Sequence, residues 1–150
     1  MVYRTRVTKR EQVDTLRATL REAGLRATLS RLAVLRQLTA SKTPMSHAEV
    51  VDRLAGSGFD RATLYRNLID LAECGLARRT DVGDHVWRFE LIAGGGGHDQ
   101  EHPHFVCSNC GNVQCLPADS VSVRPVRGAP RALRRKGLAI HVRGLCDDCA

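Results

Sequence analysis

The fold is decided by residues 60–91, which read DRATLYRNLIDLAECGLARRTDVGDHVWRFEL. Apolar residues recur at helical spacing over residues 61–73, and Asp60 stands where a helix N-cap belongs. After Gly75 the apolar period changes to two, on both sides of a turn-like stretch at residues 81–84. The stretch therefore predicts a helix followed by a β-hairpin.

Three further helices are predicted before this stretch. Capping boxes at residues 8–11 and 46–49 mark the starts of the first and third helices, and Thr28 opens the second. Gly24 and Gly56 stand where the first and third helices should end. Helices in this order, followed by a hairpin, predict a winged helix-turn-helix.

After the hairpin, the sequence predicts a flexible link and a second domain. Four consecutive glycines occupy residues 94–97, a composition typical of a flexible linker. We therefore expect a winged-helix domain over residues 1–92, a glycine-rich hinge over 93–98 and a small α/β domain over 99–150, an α+β fold. In the second domain, strands are expected at residues 105–106, 112–116 and 138–142, with an interrupted helix before the last.

The composition is that of a globular protein. Hydrophobic residues make up 43% and charged residues 26% of the 150 positions, which excludes wholesale disorder. Aromatic residues, at 4%, are too few for an extended base-stacking surface. No apolar run reaches bilayer length, and residues 1–6 lack the apolar core of a secretory signal. We therefore expect a cytoplasmic protein with no membrane partner.

The charge balance favours a polyanionic partner. Lysine and arginine number 23 against 16 acidic residues, a formal net charge of +7. From Arg4 to Arg36, nine basic residues face three acidic ones, and nearly all are arginine, which pairs with phosphates and guanine edges. A second basic run at residues 124–143 contains no acidic residue, and the sequence assigns it no function.

Six cysteines in a chain of cytosolic type indicate metal or redox sites rather than disulfides. Four of them form two CxxC pairs, Cys107 with Cys110 and Cys146 with Cys149. Two such pairs can enclose one zinc ion in a tetrahedral set of thiolates. We therefore expect a structural zinc site.

The fourth predicted helix carries the side chains of a DNA-reading helix. Its N-terminal half places Arg61, Tyr65, and Arg66 or Asn67 on or near the exposed face. In a major groove, the ring can contact thymine methyl groups and an arginine can reach guanine or phosphate. An ordinary amphipathic surface helix is the alternative. Further contacts are expected from Arg78, Arg79 and Arg88 of the wing to phosphates and from Arg26 to a minor groove.

Three motifs resemble the ferric uptake regulator family. They are GLRAT at residues 24–28 followed by Arg31, ATLYRNL at 62–68, and HPHFVCSNCG at 102–111, and they occur in the family's order. The resemblance implies a dimeric, metal-responsive transcriptional regulator, usually a repressor. Its winged helix would read an AT-rich palindrome, and its second domain would dimerise and hold metal.

The resemblance also implies roles for single residues. The four CxxC cysteines match structural zinc ligands, Arg26 matches a residue of the minor groove, and Tyr65 matches one that reads thymines. The full set of expected DNA contacts is Arg26, Arg31, Arg61, Thr63, Tyr65, Arg66 and Asn67.

For the regulatory metal site, the resemblance implies Glu90 together with His102 and His104. Two histidines at alternate strand positions share a face, and Glu90 lies on the other side of the hinge. Many members carry a carboxylate where Cys115 stands, and a thiolate favours zinc over manganese or iron(II). We expect Cys115 as the fourth ligand and zinc as the sensed metal, similar to zinc uptake regulators. The alternative fourth ligand is His47, with Cys115 as core packing and iron(II) or manganese in the site.

The sequence favours a regulator over other classes of protein. No Ser/His/Asp grouping, phosphate-binding loop or HExxH motif occurs, so an enzyme is not expected. A zinc-ribbon interaction module is one alternative, and an iron- or manganese/peroxide-responsive regulator of the same family is another. We expect a metal-dependent repressor that binds double-stranded operator DNA as a homodimer. His85 and His141 are expected at strand surfaces.

Overall fold

A computed structural model describes residues 9–92, 102–135 and 138–150 of the chain and confirms an α+β fold. The first predicted N-cap, Thr8, and the predicted hinge at 93–98 lie outside the described residues. Among the described helices, none combines the length and apolar character needed to cross a bilayer.

The helices are α1 (Lys9–Glu22), α2 (Leu29–Ala40), α3 (His47–Arg53), α4 (Arg61–Glu73) and a 3₁₀ helix (Arg131–Arg134). The strands are β1 (Met45–Ser46), β2 (Ala77–Asp81), β3 (Trp87–Leu91), β4 (His104–Cys107), β5 (Val113–Cys115) and β6 (His141–Gly144).

Helices α2, α3 and α4 begin where the sequence places capping residues. The Thr28 hydroxyl accepts a hydrogen bond from the first turn of α2. Ser46 and Glu49 form a capping box at the start of α3. Asp60 accepts hydrogen bonds from the hydroxyl and the backbone N–H of Thr63, and these bonds lower the pKa of the Asp60 carboxyl. These three predicted helix starts are confirmed.

Helix α4 is anchored on one face by the core of the first sheet. Leu64, Leu68 and Leu71 are at most 1% exposed and pack in one cluster with Phe89 of β3. Burial of these side chains is the main favourable contribution to the packing of the helix. The opposite face of α4 is left to solvent.

The first sheet has the strand order β1-β3-β2 and contains the predicted hairpin. Strands β2 and β3 pair antiparallel from Ala77 opposite Leu91 to Asp81 opposite Trp87. The third strand, β1, was not predicted; it pairs with β3 through Met45. A strand of two residues carries no alternation, so periodicity could not reveal it.

The second sheet has the strand order β5-β4-β6, with β4–β5 antiparallel and β4–β6 parallel. The returning strand expected at residues 138–142 begins three residues later, at His141. The helix expected before it, short or broken, corresponds in residues 116–135 to one four-residue 3₁₀ helix, Arg131–Arg134. Prolines in this stretch remove hydrogen-bond donors and prevent a longer helix.

The turn of the hairpin packs against the second sheet. Val82 is 1% exposed and forms a small apolar cluster with Val106 and Val113. Arg143 donates a hydrogen bond from Nη2 to the Val82 carbonyl oxygen at 2.9 Å. Gly83 has a φ of +88°, and a Cβ there would lie 3.0 Å from the same Nη2. The two sheets therefore touch through residues that are not candidate metal ligands.

Candidate metal centres and nucleic-acid interface

The four cysteines of the CxxC pairs meet at one end of the second sheet. Strands β4 and β6 run parallel, so their C-terminal ends deliver both pairs to the same place. The four Sγ atoms all lie within 4.8 Å of one another. The Sγ atoms of Cys110 and Cys146 are 3.8 Å apart, and two thiolates on one tetrahedral zinc ion should be about 3.8 Å apart.

Backbone groups favour the thiolate form of one member of this cluster, Cys107. The backbone N–H groups of Cys110 and then Cys146 point at the sulfur of Cys107 and lower the pKa of that thiol to about 6. The Cys146 nitrogen lies 3.4 Å from this Sγ. Gly111, with a φ of +71°, allows the chain to turn back directly after Cys110. Because the thiolate is the metal-binding form, the four residues fit a zinc ion.

A second cluster lies between the two sheets. Glu90 belongs to β3. His104 on β4 and Cys115 on β5 lie opposite each other in the antiparallel register, and His102 lies two residues before the start of β4. Their ligand atoms lie within 4.8 Å of one another. The two Glu90 oxygens are 3.7 Å from His102 Nε2 and 3.8 Å from His104 Nε2. The structure thus brings together all four residues expected at the regulatory site.

The interior of this second cluster suits a cation. Glu90 and His104 are 6% and 5% exposed, and His104 Nε2 has no hydrogen-bond partner among the described residues. A buried polar nitrogen in this state is costly unless it receives a partner. Burial, together with the Glu90 charge, raises the pKa of the Cys115 thiol to about 11. Two imidazoles, a carboxylate and a thiol fit a transition-metal ion, which would displace the thiol proton on binding.

His47, the alternative fourth ligand, is not part of this cluster. It is the first residue of α3, and its Nε2 donates to the Arg61 carbonyl oxygen at 2.9 Å. Its ring lies edge-on to Tyr65, with ring centroids 5.4 Å apart. The structure therefore places His47 against the start of α4.

His141, expected at a strand surface, lies on β6 beside the second cluster. His141 pairs with His104 in the parallel register of β6 and β4, and their ring centroids are 6.1 Å apart. Its Nε2 is buried, and burial followed by the neighbouring His104 lowers the pKa of His141. His141 is half-buried on β6 and is not one of the four clustered ligand residues. Only the parallel pairing of two distant strands places it beside His104, and no local pattern signals that pairing.

Helix α4 presents an exposed polar face at its N-terminal half. Arg61, Tyr65 and Arg66 are exposed, with 42% of Tyr65 accessible. Arg26 is exposed in the turn before α2. These four side chains can reach a duplex without any change in the core.

Two residues of the expected DNA-contact set are engaged within the protein. Asn67 is 5% exposed, because it lies two positions beyond Tyr65 and so about 200° around the helix. Of Arg66 and Asn67, the two alternatives for the exposed face, the structure places Arg66 there. Thr63 is half-buried, and its hydroxyl donates to the capping carboxylate of Asp60. Its side chain therefore serves the start of α4.

Two expected phosphate or base contacts are also held internally. The Arg31 guanidinium forms an ion pair with Asp70 of α4 and donates to the Arg26 carbonyl oxygen at 2.7 Å. Arg88 is 9% exposed and donates to both carboxylate oxygens of Asp84, which lowers the pKa of that carboxyl. In the structure, both guanidinium groups are therefore engaged in ion pairs within the protein, and their direct contacts with DNA stay predictions.

We expect Arg31→Ala to destabilise the chain although Arg31 lies near the expected DNA surface. The substitution removes hydrogen bonds from a charged donor, each worth about 1.5–3 kcal/mol. Arg36→Ala, at an exposed position of the same helix, should change the free energy of unfolding by less than about 0.5 kcal/mol. Urea unfolding of the two variants checks this, and equal losses of unfolding free energy would show that the contacts of Arg31 do not stabilise the fold.

Comparisons with known proteins agree with this geometry. The ferric uptake regulation protein of Legionella pneumophila is 34% identical over 134 residues, which cover 87% of this chain and 95% of that protein. The peroxide operon regulator of Bacillus subtilis (strain 168) is 26% identical over 135 residues, covering 88% and 89%. The structure of the ferric uptake regulator from Pseudomonas aeruginosa with manganese matches with a TM-score of 0.57 and 26% identity, covering 85% of this chain and 96% of that one.

The family model described as the Ferric uptake regulator family matches residues 22–132, well over half of the chain. The match includes the turn before α2, helix α4, both sheets except β6, and the first CxxC pair. The chain therefore belongs to the ferric uptake regulator family, whose members are metal-dependent transcription regulators and not enzymes.

Proposed function

We propose that this chain is a repressor that binds operator DNA as a homodimer when Glu90, His102, His104 and Cys115 hold a zinc ion. The observation that carries the proposal is the position of these four residues between the two sheets. All four can bind one cation only while the sheets lie next to each other. Occupancy of the site therefore favours this arrangement over any more open one.

The same arrangement connects the metal cluster to the DNA-reading face. Glu90 follows Phe89, and Phe89 is buried in the same core as Leu64 and Leu68 of α4. When the second sheet is held in one position relative to β3, helix α4 therefore has one orientation relative to the second sheet. In a dimer, two such helices would have the constant separation that two half-sites require, so metal and DNA would favour each other's binding.

The donor set supports zinc as the sensed metal. A thiolate at Cys115 is a softer ligand than the carboxylate or water oxygens that manganese prefers. Without Cys115, two imidazoles and the Glu90 carboxylate would suit iron(II) equally well. An iron- or manganese-responsive regulator is therefore the second candidate, and the manganese-bound regulator of Pseudomonas aeruginosa supports it.

The function can be tested by selecting bound duplexes from a random pool with the full-length, zinc-loaded protein. We expect enrichment of an AT-rich palindrome and half-maximal binding at a lower free concentration of zinc than of iron(II) or manganese. Weak binding that salt abolishes, with no enriched sequence, would instead favour the zinc-ribbon interaction module. Half-maximal binding at a lower concentration of iron(II) would contradict zinc sensing.

Tyr65→Ala should weaken binding to the selected duplex by about 1–3 kcal/mol, because it removes a side chain that reaches base edges. Arg66→Ala should have an effect of similar size. The loss on a random duplex should be smaller for both. Fluorescence anisotropy with the two duplexes measures the difference, and equal losses would reduce both residues to phosphate contacts.

A further inference from the structure

A second concentration of positive charge lies outside the winged helix. Residues 120–146 contain seven of the 23 basic residues of the chain and no acidic one. The winged-helix residues 1–92 carry sixteen basic and eleven acidic residues, so their positive charge is partly offset by acidic neighbours. Residues 120–146 have no such neighbours within the stretch.

Five of these basic residues lie in the described stretch 124–135, which we call the arginine segment. It consists of irregular chain and the 3₁₀ helix Arg131–Arg134, and none of its arginine side chains is buried. Among the described residues, these side chains make no ion pair or hydrogen bond, unlike Arg31 and Arg88. The arginines are Arg124, Arg127, Arg131, Arg134 and Arg135.

Like charges at this density repel one another unless an anion neutralises them. A guanidinium pairs with phosphate oxygens through two parallel hydrogen bonds, which lysine cannot do. A series of phosphates along a nucleic-acid backbone thus matches the segment in charge and in hydrogen-bonding chemistry.

We propose that the arginine segment binds the phosphate backbone of the duplex beside the site read by α4. This proposal rests on the proposed function, because helix α4 is what brings the duplex to the protein. The segment adds affinity without base preference and supplies much of the salt dependence of binding. Duplex DNA is favoured over other polyanions because the same chain already presents a DNA-reading face.

The test compares two triple variants of the full-length, zinc-loaded protein that have the same net charge. One is Arg124→Gln, Arg127→Gln and Arg131→Gln in the segment. The matched control is Arg10→Gln, Arg36→Gln and Arg53→Gln, at exposed positions of α1, α2 and α3. All six side chains are exposed, so thermal unfolding of both variants should match the parent. Affinity is measured against salt on three duplexes: the selected site alone, that site with flanks of about 15 base pairs, and a random duplex of the longer length.

On both longer duplexes, we expect the segment variant to lose about 0.9 of the log–log salt slope for each phosphate contact removed, which is about 2.7 for each protomer and about 5.4 for the dimer. The parent dimer should then lose about 1,800-fold more affinity than the variant dimer between about 50 and 200 mM salt, or about 40-fold more if only one segment contacts the duplex. The control variant should keep the parent's slope. On the selected site without flanks, both variants should bind like the parent.

Equal slopes for the two triple variants on the longer duplexes would overturn the proposal. So would a segment variant that keeps the parent's slope on DNA and loses binding to phosphatidylserine vesicles, since the partner would then be a membrane surface. Should the parent not distinguish the selected site from the random duplex, the proposed function fails. The slope on the random duplex still decides the segment's role in that case.

Discussion

Replacing Cys149 by serine is expected to abolish tightly held zinc and to unfold the second sheet. The four cysteines join the ends of β4 and β6, and the described part of the second sheet has only one small apolar cluster to hold it together. In small zinc domains, metal-binding free energy of about 10–16 kcal/mol is also folding free energy. That amount is comparable to the whole stability of a typical domain, about 5–15 kcal/mol.

The matched control for this prediction is Cys74→Ser. Cys74 is half-buried at the end of α4 and belongs to neither metal cluster, so zinc content should not change. Zinc per chain after dialysis against a mild chelator, together with hydrogen exchange of β4 and β6, gives the two measurements. A folded Cys149→Ser protein with the parent's zinc content would show that the cysteines are not a zinc site.

Replacing Cys115 by serine is expected to raise the zinc concentration for half-maximal DNA binding by about 100-fold or more. Loss of a residue that only hydrogen-bonds to a metal ligand typically lowers metal affinity by about 10–100-fold. Loss of a ligand itself should lower the affinity by at least the upper part of that range. The matched variant is His47→Ala. It removes the contacts to Arg61 and Tyr65, so it should lower the maximal DNA affinity and leave the zinc midpoint unchanged.

The opposite result would identify His47 as the fourth ligand. A tenfold shift of the zinc midpoint in His47→Ala, with Cys115→Ser unchanged, would remove the basis for the zinc preference. A further variant tests the preference directly. Cys115→Asp introduces a harder oxygen ligand, and we expect it to favour manganese relative to zinc in the same titration.

The elements that local sequence determines were predictable. Helix α4 begins at its capping residue Asp60, and the hairpin of β2 and β3 follows from the change in period after Gly75. The grouping of Glu90 with His102, His104 and Cys115 followed from the family resemblance, supported by the alternation of the two histidines on one strand.

Features set by tertiary contacts were not predictable. The burial of Asn67 is not one of them, because helical spacing from Leu64 and Tyr65 already places this residue on the inner face of α4. Arg31 looked like a phosphate contact because its partner Asp70 is 39 positions away in the sequence. His141 reaches the metal cluster only through the parallel pairing of β6 with β4. For Arg31 and His141, the deciding neighbour is distant along the chain.

The packing of Val82 against Val106 and Val113 has a consequence for how strongly the second cluster can bind metal. This contact and the hydrogen bond from Arg143 hold the hairpin against the second sheet without using any ligand atom. Glu90 is therefore presented to the histidines at a high effective concentration before a metal arrives, and less of the binding energy is used to bring the ligands together. The affinity of the site for metal is thus set in part by a valine that never touches it.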